Sequence, residues 1–326
     1  MVLVHHWDTD GIASATLLSK FIECNKLFII PKIGFYSSEA VSVGKIEKFY
    51  PDLTVLLDYG ISMWEVAKLA STLNHEVLVV DHHLNTLLTN YAICNPAAYG
   101  YSTVDYPSTT WVIKEHLGFE DEVKIVLGVI GDAGTRIKSV SVRTYVLNFL
   151  EKEKLTLQDV KKAVELLDSC YKLVDYNCIG YARSLVENSG IREILEDKLL
   201  QNSVKKVKDE IWKAIENSQI IEIKGPIKVF STTSEAYITS SIGRFLAVKN
   251  PEDIIVLVNA VAKLGIVNIY VRSVKYKVGK VIGALKNLGI NVGGKDHVFS
   301  LVCEGKCYEK LKTIISILEK QLGVLK

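Results

Sequence analysis

In Val2-Leu3-Val4-His5-His6-Trp7-Asp8-Thr9-Asp10-Gly11, an apolar run stops abruptly at four ionisable side chains within six residues. A helix-like segment follows: Ile12, Ala15, Thr16, Leu18 and Phe21 approximate one helical stripe. The pattern is strand, loop, helix, with the His/Asp cluster in the loop. Asp8 and Asp10 are two apart, so on an extended backbone they point the same way.

The same pattern recurs downstream. Leu53-Thr54-Val55-Leu56-Leu57 reads as a buried strand ending in Asp58-Tyr59-Gly60. Ser62 is placed to cap a helix over Met63–Leu73. A third strand over 77–80 ends in Asp81-His82-His83. A further apolar run, 27–30, is stopped by Pro31, and a helix is expected over Val43–Phe49. Strands alternating with helices predict an open parallel sheet, whose carboxyl ends lie together and bind ligands. The three clusters are therefore expected to be neighbours in space. Ser108-Thr109-Thr110 starts a helix through His116, and residues 123–130 form an apolar helix or strand running into Gly131-Asp132-Ala133-Gly134. That adds a fourth carboxylate, bracketed by glycines.

From about 137 to 185 the chain reads as helical, and 191–217 as one or two charged amphipathic helices. Beyond them β-branched strands appear at 227–230, Ile254–Val261 and 266–271, with Lys263-Leu264-Gly265 suited to a hairpin turn. Helices are expected over 238–248 and 278–288. Gly289 to His297 reads as a glycine-rich loop before a final strand and helix. The domains predicted are 1–188, a helical linker at 189–218, and 219–326.

A chain of 326 residues is long for one core, and 48% hydrophobic with 23% charged residues is the composition of an ordered globular protein. Lys and Arg number 39 against 37 Asp and Glu, a net charge of +2. That excludes a broadly basic coat for duplex DNA but leaves room for a local phosphate groove. No apolar stretch reaches membrane-span length, and no basic leader opens the chain. The six cysteines, 24, 94, 170, 178, 303 and 307, form no CxxC pair and read as free thiols of an intracellular, cytoplasmic protein.

Collected, the first domain offers His5, His6, Asp8, Asp10, Asp58, Asp81, His82, His83 and Asp132. Singly, Asp58 would serve as a helix N-cap, His82-His83 as a surface pair and Asp132 as a turn residue. Jointly, carboxylates with imidazoles suit manganese, magnesium or zinc and exceed the needs of one tetrahedral site. They fit two metals roughly 3.5–4 Å apart with a bridging carboxylate, an arrangement that activates water and clamps a phosphoryl group.

His6-Trp7-Asp8-Thr9-Asp10-Gly11, Asp58, Asp81-His82-His83 and Gly131-Asp132-Ala133-Gly134 resemble the four motifs of the DHH phosphoesterases. That family includes RecJ-like single-strand exonucleases, small-oligonucleotide nucleases, cyclic-dinucleotide phosphodiesterases and family II pyrophosphatases. The resemblance implies a parallel-sheet DHH domain joined by the helical linker to a smaller α/β substrate-binding domain. It implies that His6, Asp8 and Asp58 hold one metal, and that Asp10, Asp58, His82 and Asp132 hold the other. His83 would face the scissile phosphate, Asp81 would orient His82 from behind, and two manganese ions, or magnesium, are the expected cofactors. Many members carry a histidine where this chain has Val4; RecJ-like members carry a ligand at the position of His6, which favours His6 over His5.

In the second domain, Arg272 of Tyr270-Val271-Arg272-Ser273 matches a position expected to meet substrate phosphate. Gly293-Gly294-Lys295-Asp296-His297 resembles a modified GGGH loop, in which backbone N–H groups and His297 would meet a nucleotide. The Ala-Ala-Gly usual after that histidine is replaced by Val298-Phe299-Ser300. Lys275, Lys277 and Lys280 could extend a phosphate groove, and Tyr270, Tyr276 and Phe299 could stack bases.

The expected function is a manganese-dependent phosphodiesterase on single-stranded DNA or RNA, an exonuclease of DNA repair, replication or RNA turnover. Short oligonucleotides or cyclic dinucleotides are the alternative substrates. A non-catalytic replication or repair scaffold, docked on a helicase or similar partner, is the alternative of another class.

Overall fold

The computed structural model describes residues 1–83, 91–139 and 141–321. The chain divides into two compact units, Met1–Tyr171 with Asp175–Val204, and Lys172–Val174 with Lys205–Lys326.

The first unit begins with β1 (Val2–His5), α1 (Thr9–Phe21), β2 (Leu27–Ile29), α2 (Val43–Phe49), β3 (Leu53–Leu57), α3 (Met63–Leu73), β4 (Glu76–Val80) and β5 (Ala92–Cys94). The strands form one parallel sheet in the order β2-β1-β3-β4-β5. Val2, Leu3 and Val4 are wholly buried, as are Val55, Leu56 and Leu57 to within 1%. Parallel strands covered on both faces take such unbroken apolar runs rather than alternation. Ser62 caps α3 as the sequence predicts, its side chain accepting from the Glu65 N–H.

Register does more for the site than strand order alone. β1, β3 and β4 lie side by side, with His5 opposite Leu57 and Leu57 opposite Val80. The hydrogen-bond ladder runs one residue past each strand end. His6 N–H donates to the Leu57 carbonyl at 3.1 Å, Asp58 N–H to Val80 at 3.0 Å, and Asp81 N–H to Cys94 at 3.1 Å. The three motif positions are thereby fixed in a row along the carboxyl edge of the sheet.

Helices follow: α4 (Thr109–Val112), which runs on into a π-helical turn over Ile113–Leu117, α5 (Glu122–Ala133), α6 (Arg143–Glu153), α7 (Leu157–Lys172), α8 (Tyr176–Asn188) and α9 (Ile191–Glu196). The segment 123–130, open between helix and strand in the sequence, is the helix α5. The charged stretch after α8 is two helices, α9 and α10 (Lys198–Glu216), and α10 belongs to both units.

One cysteine expectation is corrected. Cys170 of α7 and Cys178 of α8 form a disulfide, with Cα atoms 5.2 Å apart. The turn between the helices brings them together, which a spacing of eight residues without a motif does not announce. The cysteine pattern therefore no longer argues for a compartment. Among the described residues, no helix is long and apolar enough to cross a membrane.

The second unit holds β6 (Gln219–Lys224), β7 (Ile227–Ser234), α11 (Thr239–Lys249), β8 (Ile254–Val261), β9 (Ile266–Ser273), α12 (Ile282–Asn287), β10 (Gly293–Lys295), β11 (Val298–Cys303) and α13 (Cys307–Gln321). Its sheet has the order β10-β11-β9-β8-β7-β6, parallel only between β7 and β8. Strand alternation sends the two sets of side chains to opposite faces. Val229, Val256, Ile269, Val271 and Leu301 pack with Leu285 of α12 and with Ile314 and Leu318 of α13. Phe230, Ile255, Leu257 and Tyr270 pack with Val207 of α10 and with Ile242 and Leu246 of α11. Two expectations change here. Gly293–Lys295, read as loop, is an edge strand paired antiparallel with β11. Phe299 and Tyr270 are core residues rather than exposed base platforms.

Candidate metal centre

The loop between β1 and α1 shapes the first part of the site. Asp8 caps α1, with Oδ1 accepting the Gly11 N–H at 3.1 Å while Oδ2 lies 2.8 Å from His6 Nδ1. A Cβ on Gly11 would fall 2.4 Å from the His6 carbonyl oxygen, so only glycine lets this loop close. Thr9, between the two aspartates, is tied to α7: its N–H and hydroxyl donate to Asp168 Oδ1 at 3.1 and 2.7 Å.

Asp10 is held by a helix N-terminus, where backbone N–H groups lack partners within the helix. Oδ2 accepts the Thr109 N–H at 2.6 Å, and Oδ1 accepts the Thr110 N–H at 3.2 Å. The Thr109 hydroxyl donates to Asp58 Oδ1 at 2.9 Å, so one residue of α4 positions two carboxylates. α5 presses its backbone against both Asp10 and Thr110 through Gly128. A Cβ there would lie 2.2 Å from both Asp10 Oδ1 and Thr110 Oγ1.

Asp58 sits at the middle, 1% exposed, in the left-handed region at φ 57°. A non-glycine residue in that region is sparsely populated, and such positions cluster at functional sites. Its Oδ2 is 3.9 Å from His6 Nδ1, and its Oδ1 is 3.6 Å from His82 Nε2 and 3.8 Å from His83 Nδ1. One oxygen faces each half of the cluster. Asp132, delivered by the last turn of α5, places Oδ2 2.6 Å from His82 Nε2.

The donor atoms of His6, Asp8 and Asp58 lie within 4.8 Å of one another, as do those of Asp10, Asp58, His82 and Asp132. Asp58 belongs to both sets, and to a third with His82 and His83. All six residues expected as metal ligands are therefore in one place. Whether they fit divalent ions can be judged from the atoms themselves. His6 Nδ1 and His82 Nε2 are buried and close to carboxylates, yet neither is aligned in a hydrogen bond. Lone pairs and carboxylate oxygens converging without mutual hydrogen bonds are what a shared cation requires, and an oxygen–imidazole set suits manganese, magnesium or zinc.

The electrostatics agree. Burial, followed by the charges of Asp10, Asp8 and Asp132, holds the Asp58 carboxyl well above its usual range. Burial and then Asp132 push Asp10 up to about 6. Burial opposes ionisation of Asp8, but the neighbouring His6 imidazole outweighs it and holds the group at about 2. Burial lowers His82, and the Asp132 carboxylate more than reverses this. Carboxylates this close resist ionising together unless positive charge is supplied, and bound cations invert that balance.

The structure corrects the role expected of Asp81. Its Oδ1 lies 2.8 Å from His83 Nδ1 and accepts the backbone N–H groups of His82 and His83, while Oδ2 accepts the Gly60 N–H at 2.8 Å. It orients His83, while the His82 ring, 4.4 Å away between centroids, turns its Nε2 to Asp132 instead. Desolvation pulls the His83 pKa down, but the Asp81 carboxylate raises it to about 9. The His83 side chain is 46% exposed.

His5 is placed away from the cluster. It is fully buried, its Nδ1 donates to the His6 carbonyl at 2.7 Å, and its ring meets Phe28 edge-on. Burial lowers its pKa to about 4. Its neighbour His6 faces the carboxylates, which is the alternation expected at the end of a strand.

In the second unit, Arg272 of β9 lies opposite Val298 of β11, and its Nη1 donates to the Tyr270 hydroxyl at 3.2 Å. Gly294 is required by packing, since a Cβ would fall 2.3 Å from the Val298 carbonyl oxygen, whereas one on Gly293 would meet open space. His297 Nδ1 donates to the Tyr276 carbonyl at 3.0 Å. Lys275 pairs with Glu252 and Lys277 with Asp296, at 2.5 and 3.4 Å.

Thr109, Gly128 and Asp168 were not among the residues singled out from the sequence. Only Thr109 carried a signal there, as part of a helix start; Gly128 and Asp168 stand inside ordinary helical stretches.

No curated protein sequence matches the chain. Among solved structures it is similar to a DHH domain described as a member of the s1p family of ribosomal proteins, at 16% identity over 97% of this chain and 85% of that one, TM-score 0.65. It is similar to RecJ from Thermus thermophilus in complex with Mn2+, at 14% identity over 100% of this chain and 52% of that one, TM-score 0.61. An exonuclease RecJ bound to manganese shares 13% identity over 98% of this chain and 90% of its own, TM-score 0.60. At these identities the likeness is one of fold. Residues 1–129, which carry the first three clusters, match the DHH family, N-terminal domain.

Proposed function

We propose that the chain is a two-metal phosphodiesterase that hydrolyses single-stranded nucleic acid as an exonuclease, with manganese as its metal. The observation that carries this reading is Asp58, a buried, conformationally strained carboxylate with one oxygen turned toward each donor set. His6, Asp8 and Asp58 would hold one ion, and Asp10, Asp58, His82 and Asp132 the other. Ions so held polarise a phosphoryl oxygen and bring the pKa of water toward about 7.

The chain's own groups do the rest. Thr109 and the N-terminus of α4 keep Asp10 and Asp58 in place, so no reorganisation accompanies substrate arrival. His83 is anchored through Nδ1–H on Asp81 and half-exposed, so that as the imidazolium it would offer Nε2–H to a phosphate oxygen or to the departing oxygen. Arg272, Gly293, Gly294 and His297 would meet the nucleotide's phosphates from the second unit. The retained carboxylates and histidines favour an enzyme over a non-catalytic scaffold. A cytoplasmic role in repair, replication or RNA turnover belongs to the same reading.

The test is a time course with Mn2+ on end-labelled DNA and RNA, from dinucleotides to long single strands, with cyclic dinucleotides alongside. Processive shortening of long single strands is the expected result. A strong preference for dinucleotides or cyclic dinucleotides would reassign the substrate, and no hydrolysis of any of them would overturn the proposal.

A further inference from the structure

We infer that Tyr36 is a positioning residue for His6, fixing which imidazole nitrogen faces the metal-binding carboxylates. The inference rests on the metal-centre reading above. Its hydroxyl lies 3.2 Å from His6 Nε2, while His6 Nδ1 lies 2.8 Å from Asp8 and 3.9 Å from Asp58. The two nitrogens of this ring therefore have separate partners, and the tautomer at one is set by the hydrogen bond at the other. When Nε2–H donates to the Tyr36 oxygen, Nδ1 is left with a lone pair aimed between Asp8 and Asp58.

Tyr36 is built into this position. The Tyr59 hydroxyl lies 3.0 Å from the carbonyls of both Phe35 and Ser37, pinning the backbone on either side of it. Glu65 Oε2 accepts from the N–H and hydroxyl of Ser38 at 2.7 and 2.5 Å. The Tyr36 ring packs against Trp7 at 5.5 Å and Tyr59 at 6.2 Å between centroids. Trp7 and Tyr59 directly follow His6 and Asp58, so the residues beside two donors hold the segment that orients one of them. Tyr36 is 44% exposed, and replacing it by Phe keeps the ring and opens no internal cavity.

The test is Mn2+ binding to the full chain, by calorimetry and by electron paramagnetic resonance of free Mn2+, in wild type, Tyr36→Phe, His6→Ala and the double variant. Wild type is expected to bind two ions. Tyr36→Phe should weaken one site about 10–100-fold, the size of effect seen when a ligand histidine loses its outer partner, and leave the other unchanged. Adding Tyr36→Phe to His6→Ala should weaken binding no further. Metal-free Tyr36→Phe should melt with wild type. Unchanged affinity at both sites, equal weakening of both, a lower melting temperature, or additivity with His6→Ala would each overturn the inference while leaving the metal centre standing. A wild-type chain that binds no Mn2+ would remove the metal centre itself, and the inference with it.

Discussion

Gly128→Ala tests the site at a residue that belongs to none of the four motifs. The added methyl would lie 2.2 Å from Asp10 Oδ1 and from Thr110 Oγ1, and 2.7 Å from Thr110 Cγ2. Ordinary contact begins near 3.4 Å, so the carboxylate and the helix must separate by about 1 Å. The Thr110 N–H to Asp10 bond, already 3.2 Å, does not survive that, and the 2.6 Å bond from Thr109 is stretched. Overpacking costs about 1–3 kcal/mol, and the better helix propensity of alanine returns about 0.8–1 kcal/mol. The net loss of stability is thus at most about 2 kcal/mol, whereas a displacement of about 1 Å in a catalytic array costs on the order of 10²-fold in rate. The assay is Mn2+-dependent hydrolysis of single-stranded DNA beside thermal unfolding. Gly131→Ala is the control: it lies within the fourth motif, but its Cβ would meet Thr9 Cβ at 3.4 Å, in ordinary contact. It should keep activity within a few-fold. Wild-type Mn2+ affinity and turnover in Gly128→Ala would refute the reasoning.

Asp58→Asn suits the left-handed backbone and removes one of several crowded carboxyls. Metal-free protein should be at least as stable as wild type by thermal unfolding, while hydrolysis falls by on the order of 10²–10³-fold; a lower melting point would count against the crowding argument. In the metal-free protein His83 has its pKa raised to about 9, above the unfolded value near 6.5. Its contribution to stability is present in full below about 6.5 and lost as pH rises through about 9, so denaturant midpoints should fall across that window and His83→Gln should flatten the fall. Mn2+ binding at pH near 6 should release protons held by Asp10 and Asp58, seen as a dependence of the calorimetric heat on buffer ionisation. Arg272→Ala should raise KM for nucleic acid with Mn2+ affinity unchanged; a loss of Mn2+ binding would show that Arg272 does not act on substrate.

Much of the site was legible because each cluster follows an unbroken apolar run. A buried parallel strand cannot hold charge within its length, so Asp58 and Asp81 mark where strands leave the core. Their convergence followed from the rule for carboxyl edges. Other features left weaker traces. β6 is an exposed edge strand, with Ile220, Ile221 and Ile223 half-exposed, and it exists through pairing with β7 rather than through burial. Gly293–Lys295 carries loop composition and becomes a strand because β11 supplies a partner. The partner of Asp81 was misjudged for a related reason: which of two adjacent histidines faces a carboxylate depends on backbone angles that residue types do not specify.

Sequence alone determined the α/β class, the order of strands and helices around the motifs, and the set of residues that could hold metal. Those depend on local periodicity and on the cost of burying charge, both of which act residue by residue. Tertiary structure alone decided that Asp58 offers one oxygen to each half, that Thr109 ties Asp58 to Asp10, and that Gly128 leaves Asp10 its room. Each of these is a contact between segments far apart in the chain, set by sheet register and by the packing of α4 and α5, and no local pattern encodes it.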